Sequence, residues 1–172
     1  MSMMTENPIL AGQALGSSGK ALRKDLYWAK YGYEPHEAQE QIHYDTHRHK
    51  VLACGRRWGK TLLGGKEAEC TCWVLNRFSQ VQQGWIVGPQ YSDAEKEFRV
   101  VYNTLRSMGV DDLSPKFQNN VESGNMHIRT SWGWDLQCRS ARHPDTLVGE
   151  GLDFVIMVEA GRHRRKTWGD YI

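Results

Sequence analysis

The sequence predicts an α/β fold, a three-layer sandwich with a central, mostly parallel sheet, on three observations. Short apolar runs of strand length recur at Val51–Cys54, Trp85–Gly88, Leu136–Arg139 and Phe154–Val158. Stretches of helical periodicity, Leu62 to Leu75 and Tyr91 to Met108, stand between the first three of them. The first run ends in a glycine-flanked basic loop and the last in a carboxylate, so the two strand ends that carry chemistry are far apart in sequence. Loops at the carboxyl ends of parallel strands are where such folds bind ligands.

The chain's 172 residues, 40% of them hydrophobic, suit one domain with a real core. The net charge of +2 sets up no strong global field, so any nucleic-acid contact must be local. Cys54, Cys70, Cys72 and Cys138 form no C-x-x-C pair and no even framework, which points to free thiols in a reducing compartment. No apolar run approaches the roughly 20 residues that span a bilayer, and the N-terminus lacks the order of a signal peptide. A soluble intracellular protein with no membrane partner is expected.

The loop runs Gly55-Arg56-Arg57-Trp58-Gly59-Lys60-Thr61 and is followed by a helical pattern. A polyphosphate needs several main-chain N–H groups aimed at one point, with a strand delivering the chain and a helix beginning at the phosphate. Gly55 and Gly59 permit close backbone approach, Lys60 reaches the β/γ-phosphates and the Thr61 hydroxyl sits on Mg²⁺. The general pattern has glycine where this chain has Cys54. Gly16-Ser17-Ser18-Gly19-Lys20 lacks a preceding strand and is followed by Ala21, so it reads as part of a flexible segment over residues 1–19.

Around the loop, Ala21, Leu22, Leu26 and Ala29 recur at helical spacing and predict a short edge helix. Pro35 marks the start of another helix, carrying Gln39, Ile42 and His43 to about His47. His36, His43, His47 and His49 lack further ligands at zinc spacing, and a solvated helix face is the expected reading. The Gly64-Gly65 pair weakens the loop's helix and implies close packing against the sheet. Ser92 or Asp93 is the expected N-cap of the next helix, whose apolar face is Phe98, Val101, Tyr102 and Leu105 and which Met108-Gly109 ends. Asp111-Asp112 reads as a solvated turn. From Asn125 to Cys138 the period becomes two, predicting antiparallel strands joined around Ser131-Trp132-Gly133.

Gly-Arg-Arg-Trp-Gly-Lys-Thr at residues 55–61 resembles the variant phosphate loop of viral terminase large subunits, the motors that pump DNA into procapsids. The Pro35 to Gln39 segment and Gly149-Glu150-Gly151-Leu152-Asp153 leading to Glu159-Ala160 resemble the same family, over roughly Tyr33 to Ile172. The resemblance implies a P-loop ATPase of the additional-strand class, with ATP and Mg²⁺ as cofactors and Gln39 reading the adenine edge. Residues 55–61 would cradle the nucleotide, Lys60 would be catalytic and Thr61 the metal ligand. Glu159 would polarise the attacking water, and Arg139 and Arg142 are both candidates for an arginine finger. The implied partners are double-stranded DNA, the terminase small subunit, the portal protein and sister subunits, in the host cytoplasm at the procapsid portal.

One departure matters. The family pattern ends its acidic strand in Asp-Glu, with the Asp holding Mg²⁺ through water, whereas here Val158 precedes Glu159. Valine supplies no oxygen ligand. Two alternatives to an active packaging motor therefore stand: a helicase-like nucleic-acid-dependent ATPase, and a nucleotide-binding module without efficient hydrolysis. Residues 20–172 are expected to be a P-loop ATPase domain incomplete at its C-terminus, with the nuclease domain absent. Arg162, Arg164, Arg165 and Lys166 form a dense basic cluster that fits either a DNA-backbone contact or a solvated face.

Overall fold

The computed structural model describes residues 24–73, 82–110, 126–130, 133–148, 151–165 and 167. Four helices, α1 (Lys24–Lys30), α2 (Glu37–Tyr44), α3 (Lys60–Thr71) and α4 (Tyr91–Ser107), accompany four strands, β1 (Gln82–Gly88), β2 (His127–Arg129), β3 (Trp134–Ser140) and β4 (Phe154–Met157). The sheet order is β2-β3-β1-β4. Both β3 and β4 run parallel to the central β1, and β2 is the antiparallel edge, its Ile128 opposite Leu136. A mostly parallel α/β sheet is observed, built from three of the four apolar runs as β1, β3 and β4, with β2 at its edge.

The two faces of the sheet differ. Ile86, Leu136, Cys138 and Ile128 point to one side, where they share a core with Ala94, Phe98, Val101 and Leu105 of α4 and with Ala68 and Cys70 of α3. Trp85 and Val87 point to the other, where Ala141 and Leu147 complete a smaller cluster. Among the described residues, the third layer is formed by residues 141–148, with one turn of 3₁₀ helix at Pro144–Leu147, and by Leu152.

The apolar run Val51–Cys54 is no strand: it carries no ladder, and Val51 is 88% exposed. A strand needs a neighbour for its N–H and C=O groups. Within the described sheet β4 is an edge that pairs with β1 alone, so no ladder reaches this segment. The predicted first strand is thus corrected to an extended approach to the loop.

The helices follow the expected pattern with local corrections. In α1 the buried side chains are Tyr27 and Trp28, while Leu26 is 59% exposed. The larger aromatic area wins the inward positions. Helix α4 is capped by Gln90, without a side-chain bond, rather than by Ser92 or Asp93. Asp93 instead pairs with Arg162 at 3.4 Å. Its far end is as read: Gly109, at φ +72°, donates to Arg106 O while Val110 N–H returns to Leu105 O. Those two bonds satisfy carbonyls that the helix end leaves open. Residues 1–23, Asp111-Asp112, Ser131-Trp132, Gly149-Glu150, Lys166 and Trp168 to Ile172 lie outside the described residues.

Candidate functional site

The loop of residues 55–59 opens directly into α3, and two left-handed residues shape it: Arg57 at φ +62° and Gly59, the helix N-cap, at φ +95°. Gly55, Arg56 and Arg57 are exposed, and Trp58, Gly59, Lys60 and Thr61 are half-buried. Among the described residues, the N–H groups of residues 55–60 donate to no backbone carbonyl. The Lys60 ammonium folds back over the loop and donates to Cys54 O and Gly55 O, each at 2.9 Å.

Helix α2 braces this loop through its first turn. Gln39 is buried, its Oε1 accepting from the His36 N–H at 3.1 Å and its Nε2 donating to Gly59 O at 3.4 Å. The His36 ring accepts from the Gln39 N–H on Nδ1 and places Nε2 3.2 Å from Trp58 O, edge-on to the Trp58 ring. A Cβ at Gly59 would lie 2.5 Å from Gln39 Nε2. Gln39 therefore touches the phosphate-loop candidate itself, by a capping box whose two members also grip the loop. His36 is exposed, as expected of a solvated histidine, and still contacts the loop.

His43 departs furthest from that reading. It is 2% exposed, paired through Nδ1 with Glu67 and through Nε2 with the Tyr33 hydroxyl at 2.9 Å, and it stacks near Trp28. Burial alone would raise the Glu67 carboxyl, but the His43 bond and the Lys24 charge outweigh it and leave it below the usual value. This cluster ties α2 to α3 and so fixes the brace. His47 and His49 are exposed.

Strand β4 ends at Met157, and Glu159 stands exposed in a left-handed turn at φ +50°. Val158 hydrogen-bonds through its N–H to Val87 O and packs against the α3/α4 core. Between them and Thr61 lies a residue the sequence reading passed over, Glu97 of α4. It is 4% exposed, and its Oε2 has no hydrogen-bond partner among the described residues. Burial pushes its carboxyl up; its own N–H, the Thr61 hydroxyl and Lys96 oppose this, and the Glu159 charge adds to the rise. An unsatisfied buried acceptor costs about 1–3 kcal/mol. The signal was legible: Glu97 falls on the apolar stripe of Ala94, Phe98 and Val101, where a carboxylate has no place by burial alone.

The two arginine candidates separate. Arg139 lies in β3 with its guanidinium 4.9 Å from the Trp85 ring, on the face away from α3 and α4. Arg142 is exposed in the turn past the end of β3, its N–H donating to Ser140 Oγ at 3.2 Å. Arg162, of the basic cluster, is committed to Asp93, while Arg164 and Arg165 are exposed.

A parallel sheet with a glycine-bounded loop opening a helix and an acid past a neighbouring strand is the arrangement of a P-loop fold. No protein-family model matches the chain. It is 31% identical over 173 aligned positions to the terminase large subunit of Thermus phage G20c, covering 89% of this chain and 33% of that protein. It is 32% identical over 170 positions to that of Thermus virus P23-45, with the same coverage. The ATPase domain of the large terminase of Thermus phage P74-26 superposes with a TM-score of 0.67 at 27% identity, over 86% of this chain and 62% of that one. An arginine-to-alanine mutant of that domain gives the same values. The chain is a homologue of phage terminase large subunits and has the fold of their ATPase domain. It spans about a third of the length of the terminases it matches.

Proposed function

We propose that this chain binds and hydrolyses ATP as the motor domain of a DNA-packaging terminase large subunit. The observation that carries the reading is the loop of residues 55–60, whose N–H groups donate to no backbone carbonyl among the described residues, opening α3 in a fold whose β4 is followed by an acid. Those donors suit phosphate oxygens, and the start of α3 adds a favourable dipole. Lys60 would exchange its two loop carbonyls for β/γ-phosphate oxygens. Gln39, already against Gly59, would couple the base to the loop. Glu159 would orient the attacking water, a positioning role in phosphoryl transfer.

Magnesium fits the residues present, because the Thr61 hydroxyl and the unpartnered Glu97 oxygen are oxygen donors on adjoining helices. When bound, the ion would neutralise charge building on the phosphates. Of the two finger candidates Arg142 is better placed, since it lies past the strand end and faces solvent, where a sister subunit's site can meet it. Double-stranded DNA, the small subunit and the portal are the partners that the homology suggests, in the host cytoplasm.

A second reading, a nucleotide-binding module that turns over slowly, draws on Val158, whose side chain packs into the core. Titration with ATP and a turnover assay separate the two. The native chain is expected to bind and hydrolyse ATP. Lys60→Ala should weaken binding at least about tenfold, or roughly 1.4 kcal/mol. Glu159→Gln should keep binding and lower turnover by about 100-fold. Binding without turnover in the native chain would leave only the second reading, and no binding would remove both.

A further inference from the structure

Resting on the nucleotide reading above, we infer that Glu97 of α4 supplies the magnesium-facing carboxylate that Val158 cannot. Three observations converge on it. The Glu97 Oε2 is buried and has no hydrogen-bond partner among the described residues, whereas buried carboxylates are ordinarily satisfied. Thr61, which directly follows Lys60, is among the groups that act on this same carboxyl. Val158 packs against the core that Ala94 and Phe98 of α4 help build, so the silent strand position and the helical acid address the same side of the sheet.

The fold makes room for this arrangement. A Cβ at Gly64 would stand at ordinary contact distance, 3.4 Å from Glu97 Cγ and 3.6 Å from Ile156 Cγ2, so α3, α4 and β4 meet at this point. Magnesium takes an octahedron of oxygens, keeps several waters and commonly uses only one or two carboxylates. A single acid from a helix, direct or through water, serves that requirement as well as one from a strand. The ligand is thus a divalent cation bound together with a triphosphate, and the substitution at Val158 is a relocation of the acid.

The test measures affinity for a fluorescent ATP analogue, with magnesium and with EDTA, and reads the ratio of the two in each variant. Manganese uptake, followed by loss of the free-ion paramagnetic resonance signal in the presence of the analogue, gives a second readout. Native chain is expected to bind about tenfold more tightly with the metal, and Glu97→Gln, similar in shape, to reduce that ratio below about twofold. Adding Val158→Asp to Glu97→Gln should restore it. In the otherwise native chain Val158→Asp should leave the ratio within about twofold, since an acid already serves the ion.

An undiminished ratio and manganese uptake in folded Glu97→Gln overturn the inference while leaving the nucleotide reading intact. So does a several-fold gain from Val158→Asp alone, a result that needs no Glu97 variant to fold. A native chain that binds no analogue under either condition overturns the nucleotide reading and this inference together.

Discussion

At Gly59 the backbone φ of +95° and the 2.5 Å that would separate an added methyl from Gln39 Nε2 leave a side chain no room. Gly59→Ala is expected to cost about 2 kcal/mol in urea unfolding, of which Gln39→Ala recovers only the contact part. Asp135 gives a pH-dependent counterpart. Burial alone would raise its carboxyl, but His127 at 2.8 Å, Gln137 and Arg129 hold it below the ordinary value. A lowered folded pKa stabilises above the unfolded carboxylate value of about 3.9 and is lost as pH falls through the folded one. Asp135→Asn should therefore cost about 2 kcal/mol at neutral pH and flatten the loss of stability below about pH 4. Single residues were also where sequence reading was weakest. Lys60 and Thr61 are legible from local spacing. The burial of His43 depends on Trp28, Tyr33 and Glu67 from three separate segments, and no local period encodes it.

Between elements, α3 comes close to α4. A Cβ at Gly65 would lie 2.6 Å from Val100 Cβ and 3.0 Å from Glu97 O, so this glycine meets the neighbouring helix, a correction to the sheet packing expected of the pair from sequence; of the two, only Gly64 approaches β4. Alanine would favour the helix by about 1 kcal/mol, yet the overlap should outweigh that, and Gly65→Ala is expected to be destabilising by about 1–3 kcal/mol in chemical denaturation. Val100→Ala in the same chain should return part of it, because the Glu97 carbonyl cannot yield. Sequence periodicity found α4, β1 and β3 because each buries a continuous face, and β4, half-buried along its length, from its apolar run. It misjudged Val51–Cys54, since an apolar run encodes a wish for burial and not the identity of the strand beside it.

For the molecule as a whole, a net charge of +2 sets up no strong field, so the proposed DNA contact would fall on a local surface, and Arg164 and Arg165 are one exposed basic pair that could supply it. Reversing both to glutamate should reduce the slope of log affinity against log salt by about 2, near 0.9 per phosphate contact. An unchanged slope would put the DNA elsewhere. The contact between Lys60 and the Cys54 and Gly55 carbonyls bears on turnover. Under the proposed nucleotide reading its cation would never be stranded: when a polyphosphate departed, two oxygens of the loop would stand ready to receive the ammonium, so discharge of spent product would meet a cushioned landing, and the domain would be emptied and refilled without exposing a bare positive charge.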